Sequence, residues 1–328
     1  QQELLCLPGA GASVLEISHR GSHFTAILES AIRNLKQLLN LPDRYRILFL
    51  QGGARLQFSM IPMNLLQDTG RPADYVLTGS WSKKAIDEAK KVGETRVVWD
   101  GKSSGYDHVP SAAELQWSSD AAYAYIASNE TIEGVQFAEE PATGDIPLVC
   151  DASSDFLHRP IDIQKYGLLY ACAQKNAGPA GVTIVVIRED LLDRSSDALP
   201  GYLNYRLHAK GNSLFNTPPT FGIYLVDLVA QWLLHDIGGL AAMYELNKKK
   251  AELLYQVIDD SPDFYLGHAQ PQSRSIMNVT FRLPNDERQS EFLSLAQQRG
   301  LHSLKGHRSV GGIRASIYNA MTWDGVVA

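Results

Sequence analysis

The sequence predicts an α/β protein: a large unit built on a mainly parallel sheet, followed by a smaller α+β unit. Three observations carry that expectation. Short apolar runs alternate with amphipathic stretches from Ser22 to Ile187, as repeated strand–helix–strand units require. Small or polar residues close several of those runs, at QGGAR (51–55) and TGSWSKK (78–84), where a strand hands over to a helix. After Thr220 the pattern turns helical, then returns to two strands around one helix.

Taken in order, Ser22–Leu41 reads as a helix. Phe24, Ile27, Leu28, Ala31, Leu35, Leu38 and Leu39 share one face at three- and four-residue spacing, and Pro42 ends it. Ile47–Leu50 is an apolar strand that runs into a glycine pair and a helix-like stretch to Leu66. YVLTGSWSKKAIDEAKKVG (75–93) repeats the scheme with a serine-rich cap and a glycine stop at Gly93. Strands are further expected at Thr95–Trp99, Ala122–Ile126, Ile146–Cys150, Leu168–Ala173 and Val182–Ile187. The last two approach each other across a Gly-Pro-Ala-Gly turn, which predicts one antiparallel strand in the sheet. Two helices follow, in IYLVDLVAQWLLHDI (223–237) and LAAMYELNKKKAELLYQVI (240–258). Strand Ile276–Phe281, helix Asp286–Arg299 and strand Gly312–Ile317 complete the small unit. The boundary falls near Ala242, giving units 1–242 and 243–328.

Composition removes several classes of function. With 328 residues, 45% hydrophobic and 20% charged, the chain has the balance of an ordinary globular protein. A net charge of −6 without a basic stripe argues against nucleic acid as a partner. No apolar run reaches membrane-spanning length, so no membrane partner is expected. The cysteines, Cys6, Cys150 and Cys172, are odd in number and include no CxxC pair, which suits a reducing compartment better than a disulfide framework or a zinc site. The opening QQELLCLPGAG has no basic region before an apolar stretch, and the cytoplasm is the expected location.

The chemistry-bearing residues fall at strand ends, where parallel sheets bind ligands. Lys175 stands between two buried-looking strands; it is either a strand-end lysine with its head in water or a working amine. Asp151 closes IPLVC, as a helix cap or as a partner for a protonated ring nitrogen. A lysine and an aspartate at neighbouring strand ends are what pyridoxal phosphate needs: an amine for its aldehyde and a carboxylate for its pyridine nitrogen. The Gly-Gly of QGGAR is a tight turn or a phosphate cradle, and it lacks the GxGxxG of a dinucleotide site. Trp81 is a core anchor or a ring to stack on a cofactor, and Thr131 a turn residue or a hydroxyl for a phenolic oxygen. Asn216 and Thr217, before two prolines, begin a rigid turn or add phosphate donors. His19, Arg20, His307, Arg308 and Arg314 each read singly as surface cations; together they suit a ligand carrying both carboxylate and phosphate.

The stretches AQKNAGPAGVTIVVIRED, QGGARLQFSMIPMNLL, TGSWSKKA, SNETI, NSLFNTPPTFGIY and GHRSVGGIRASIYNAM, together with DASSD and RPID, follow one another in an order that resembles the phosphoserine aminotransferases. These are fold-type-I, pyridoxal-phosphate-dependent transaminases, and the similarity covers nearly the whole chain. The resemblance implies that Lys175 binds the cofactor aldehyde, Asp151 the pyridine nitrogen and Thr131 the phenolic oxygen, with Trp81 stacked on the ring. It implies that Ala54, Arg55 and Gln174 hold the cofactor phosphate, joined by Asn216 and Thr217 from the other subunit of a homodimer. Arg314 would hold the substrate α-carboxylate; His307 and Arg308, with His19 and Arg20 of the partner chain, would hold the substrate phosphate. The implied reaction moves an amino group from L-glutamate to 3-phosphohydroxypyruvate. The phosphohydroxythreonine step of pyridoxine synthesis, which many bacterial members also catalyse, stays open, and so does an alanine–glyoxylate type of transamination.

Three features depart from the family pattern. An Asn-Phe-Ser-Ala-Gly-Pro-like opening is absent and members continue past GVVA, so both ends are expected to be clipped. Cys172 stands where the family leads one to expect glycine, and Ala177 where a larger aliphatic residue is common.

Overall fold

Residues 2–308 and 310–328 are described by a computed structural model. Its centre is a sheet of seven strands among those residues, in the order β1-β9-β8-β7-β4-β2-β3. The strands are β1 (Tyr45–Leu50), β2 (Ala73–Leu77), β3 (Thr95–Asp100), β4 (Tyr123–Ala127), β7 (Leu148–Asp151), β8 (Tyr166–Cys172) and β9 (Thr183–Arg188). A short hairpin, β5 (Asn129–Glu130) and β6 (Val135–Gln136), interrupts the series after β4. Neighbouring pairs are parallel except that β9 runs against both β1 and β8. That reversal is the one expected from the Gly-Pro-Ala-Gly turn.

Alternate residues of the strands feed two apolar layers. On one face Phe49, Val76, Ile126, Cys150, Leu169 and Ile184 pack with Phe24, Leu28 and Leu35 of α2 (Ser22–Leu38) and with Ile223, Val226 and Leu233 of α7 (Thr220–His235). On the other, Leu48, Tyr75, Tyr125, Val149, Tyr170 and Val185 pack with Phe58, Ile61 and Leu65 of α3 (Gly53–Leu65) and with Ala85 and Ile86 of α4 (Ser80–Ala89). Each large side chain so buried contributes about 2 kcal/mol. Four wholly buried tyrosines add polar ties: the hydroxyls of Tyr75 and Tyr123 lie 2.8 Å apart, as do those of Tyr125 and Tyr170. The Tyr75 and Tyr125 rings stack at 4.7 Å.

Helices α5 (Glu189–Leu192) and α6 (Tyr205–Lys210) add Leu191, Leu192 and Tyr205 to the second layer, while α1 (Gln2–Leu5) buries none of its residues. Helix α8 (Leu240–Asp259) begins after Gly238 and Gly239, both at positive φ, and leads to a second sheet. That sheet is antiparallel, ordered β10 (Leu266–Gly267), β11 (Asn278–Arg282), β12 (Ile313–Ser316), with α9 (Asp286–Gln298) and α10 (Trp323–Val327). A separate apolar cluster joins Ala251, Tyr255 and Ile258 of α8 to Val279, Ile317 and Val326.

Three elements differ from their sequence expectation for local reasons. Helix α2 stops at Leu38, not Leu41, because Asn40 takes φ +46° and the Leu41 N–H turns back to the Lys36 carbonyl at 2.9 Å. Helix α4 ends at Ala89, so Gly93 is no stop signal; it is a place where a Cβ would lie 2.8 Å from Leu66. Strand β11 begins at Asn278, two residues late, because the Ile276 N–H goes to Gln136 Oε1 and those of Met277 and Asn278 go to Ser275 Oγ.

Candidate active site

The carboxyl ends of β1, β2, β4, β7 and β8 deliver one residue group each to the same edge of the sheet. After β1, Gly52 and Gly53 take φ +89° and +63°, a left-handed pair that starts α3. A Cβ on Gly52 would meet Leu56 at 2.6 Å. The turn leaves the first N–H groups of α3, a 13-residue helix, without helical partners, and the Ala54 N–H is on the side of the Cys172 thiol. Arg55 is exposed beside Phe58, and Gln174 is exposed ahead of Lys175.

After β8, Lys175 is partly buried. Its Nζ donates to Thr131 Oγ1 at 3.0 Å and lies 5.3 Å from the centre of the Trp81 ring. Asp151, at the end of the neighbouring strand β7, is buried and pairs with no cation within ion-pair distance among the described residues. Burial pushes its pKa above the ordinary carboxylate value, opposed by hydrogen bonds from Ser153, the charge of Lys175 and the Tyr170 hydroxyl. The Ser153 N–H donates to Asp151 Oδ1 at 2.9 Å.

Trp81 sits in the first turn of α4, and that turn is held in a way the sequence did not disclose. Glu130 accepts the N–H groups of Trp81 (2.9 Å) and Ser82 (2.8 Å), and Glu133 accepts that of Ser80 (2.9 Å). Two carboxyl groups from the β5–β6 hairpin therefore cap a helix from the next strand over, accepting the N–H groups that its first turn leaves without helical partners. Burial, with Glu133 alongside, pushes Glu130 up to about 8. The clue in the sequence was two glutamates within the short SNETIEG turn. Lys84, a helical turn after Trp81, lies 4.2 Å over the same ring and was also missed.

The cations of the small sheet gather nearby. Burial first, then the charges of Lys84, Arg314 and Arg308, push the His307 pKa below the ordinary imidazole value. His307, Arg308 and Arg314 are thus brought together with Lys84; Ser309, within the same stretch, lies outside the described residues. His19, Arg20, Asn216 and Thr217 are not brought to this group. Asn216 donates to the Thr217 carbonyl and lines a groove with Gln51, Leu56 and Tyr202. Arg20 is exposed and makes no ion pair among the described residues.

An amine beside an aromatic face, a buried carboxylate without a counter-cation, and unpaired N–H donors at a helix start fit pyridoxal phosphate. The family described as Aminotransferase class-V matches residues 3–328. The phosphoserine aminotransferase of Rhodopirellula baltica is 58% identical over 329 residues, covering 100% of this chain and 88% of the relative. A solved phosphoserine aminotransferase from Bacillus circulans subsp. alkalophilus is 48% identical with a TM-score of 0.97, covering 100% of this chain and 90% of that one. A pyridoxal-phosphate-bound phosphoserine aminotransferase from Trichomonas vaginalis is 40% identical with a TM-score of 0.93, covering 99% and 92%. The chain belongs to the class-V aminotransferases and, within them, to the phosphoserine aminotransferase family.

Proposed function

We propose that the chain transfers an amino group reversibly between L-glutamate and 3-phosphohydroxypyruvate, giving O-phospho-L-serine and 2-oxoglutarate. The observation that carries this reading is Lys175, held between Thr131 and Trp81, beside a group of cations suited to a doubly anionic substrate. Pyridoxal phosphate, when bound, supplies the aldehyde that takes up the amino group and the ring that draws electrons from the substrate α-carbon.

The chain's own residues do the rest. Lys175 Nζ would hold the cofactor aldehyde in the resting enzyme and, once the substrate amine has taken its place and set it free, would move the proton at the substrate α-carbon. Asp151 holds the proton on the pyridine nitrogen, and its raised pKa suits sharing that proton. Thr131 binds the phenolic oxygen, and Trp81 covers one face of the ring and excludes water there. The Ala54 and Arg55 N–H groups and Gln174 bind the cofactor phosphate. Arg314 grips the substrate carboxylate as a fork, while His307 and Arg308 take the phosphate.

The site is completed by a second copy of the chain in this reading. Asn216 and Thr217 of the partner subunit reach the cofactor phosphate, and His19 and Arg20 of the partner subunit reach the substrate phosphate. Supporting this, these residues make no hydrogen bond to Lys175, Asp151 or Thr131 in their own protomer, and Tyr202 and Phe215 near Asn216 are 40% and 46% exposed. The division into units 1–242 and 243–328 is supported by the separate apolar cluster around Tyr255. A cytoplasmic location is supported by three unpaired thiols, Cys6, Cys150 and Cys172. No single helix among the described residues is long and apolar enough to cross a membrane.

An absorbance scan of the protein with pyridoxal phosphate tests the reading. A visible band that bleaches on adding O-phospho-L-serine, and not L-alanine, is the expected result. Bleaching by alanine alone would overturn the substrate, and a chain that forms no band would overturn the role of Lys175.

A further inference from the structure

Lys250 is a charge that the chemistry above does not use. It lies on α8 and is wholly buried, at 0% exposure. Its Nζ donates to three backbone carbonyls, those of Ile317 (3.2 Å), Tyr318 (2.9 Å) and Met321 (3.1 Å). No carboxylate among the described residues pairs with it. An ammonium has three protons, and each here meets one oxygen. Burying it is costly, and an unpaired buried ammonium is rare. Its partners are all in one short turn, residues 317–321. The ammonium gathers carbonyls that would otherwise turn away from one another and from the apolar surroundings.

That turn leads back to the reacting lysine. It directly follows β12, which carries Arg314. Its Asn319 N–H donates to Asn176 Oδ1 at 2.8 Å, and Asn176 is the neighbour of Lys175 in the chain. The Asn319 side chain donates to the Leu157 carbonyl at 2.9 Å and accepts from Asn247 at 2.8 Å. Asn247 sits three residues before Lys250 on α8, so both reach the turn from one face of the helix. Ala320 of the turn lines one cleft together with Lys175 and Asn176.

The geometry points to Lys250 as a positioning residue that, through the 317–321 turn, fixes Arg314 relative to Lys175. It rests on the roles assigned to those two residues in the proposed function. Asn247 supports the same turn, and the Asn319–Asn176 hydrogen bond is the link between the small sheet and the lysine.

The test compares the cofactor-loaded wild type with K250M, N176A and a control, L35A, which empties a buried site in α2 far along the chain from the turn. The ligand is 3-phosphoglycerate, which has both anions and no amino or keto group to react. In K250M and N176A the Kd for it and the KM for O-phospho-L-serine should both rise at least tenfold. L35A should lose thermal stability with both constants unchanged. Without ligand, amide exchange in peptides covering 317–321 and 174–178 should quicken at least tenfold in K250M and stay at the wild-type rate in L35A. If K250M fails to fold, N176A decides through its Kd and KM. Unchanged constants in the folded variants, or unchanged exchange at 317–321 in K250M, would overturn the proposal. Failure of the wild type to turn over phosphoserine would instead overturn the substrate reading, and the exchange comparison would still decide the role of Lys250.

Discussion

Lys175 Nζ donates to Thr131 Oγ1 at 3.0 Å, joining the turn after β8 to the hairpin that follows β4. One hydrogen bond of this kind is worth about 1 kcal/mol. T131V, which keeps the shape and removes the hydroxyl proposed to bind the cofactor's phenolic oxygen, should weaken pyridoxal phosphate binding roughly fivefold. K175A should lower kcat by about a thousandfold, the range of a lost acid–base group. Titrating cofactor into each apoprotein and measuring turnover separates the two effects.

Replacing Glu130 attacks Trp81 from behind. In E130Q the amide oxygen can keep one of the two backbone N–H donors, and the other is left facing the side-chain NH2. A destabilisation of about 1–3 kcal/mol is expected, from one buried N–H donor left without an acceptor. Chemical denaturation followed by circular dichroism gives the size, and tryptophan emission should shift as the Trp81 environment opens.

His158 sets part of the acid stability. Burial, then the charge of Arg159, holds its pKa down at about 3 from 6.5. A histidine whose folded pKa is depressed contributes stability above pH 6.5, and that contribution fades as the pH falls toward 3. Asp155 lies beside it, joined through Gln136, and burial raises it to about 6. Its effect has the opposite sign, with stability lost as the pH rises from 3.8 to 6. The difference between the wild type and H158Q isolates the histidine. Wild-type stability should fall by up to about 5 kcal/mol more than that of H158Q between pH 6.5 and 3. Equal acid limbs in the two denaturation profiles would contradict this.

Gly134 is where the hairpin meets the small sheet. Its φ is +75°, and a Cβ would lie 2.4 Å from Thr280 Oγ1 and 2.8 Å from the Asn278 carbonyl oxygen. G134A should cost about 3 kcal/mol, from left-handed strain plus displacement of β11. Thermal melting of the pair provides the comparison.

The proposed sharing of each site between two subunits predicts complementation. K175A and R20A should each be inactive or nearly so with phosphoserine. When the two are unfolded, mixed equally and refolded, hybrid dimers carry one site with both faults and one with neither. Activity should recover to roughly a quarter of the wild type. Recovery no greater than the sum of the parents would contradict a site built from two subunits.

Most of the main sheet could be read from the sequence, because its strands are apolar runs closed by glycine or polar residues, and Leu168–Ala173 against Val182–Ile187 even disclosed the reversed strand. Lys175 and Asp151 stood out in the sequence by their places at strand ends, whereas the proposed roles of Thr131 and Trp81 followed from the family resemblance. Glu130 and Lys250 were not legible. Glu130 works on a helix 48 residues away and Lys250 on carbonyls 67 or more residues away. A backbone carbonyl leaves no mark in a sequence, so a lysine that binds three of them looks like its neighbours Lys248 and Lys249.

The buried tyrosines give the protein an internal reporter. Burial raises the pKa of Tyr75, Tyr125 and Tyr170 well above the usual phenol value, and that of Tyr123 also rises. These four phenols will not ionise while the sheet is intact. In alkali, their phenolate absorbance should appear late and together, at the moment the sandwich comes apart, so that the ultraviolet spectrum records the opening of its core without any added dye.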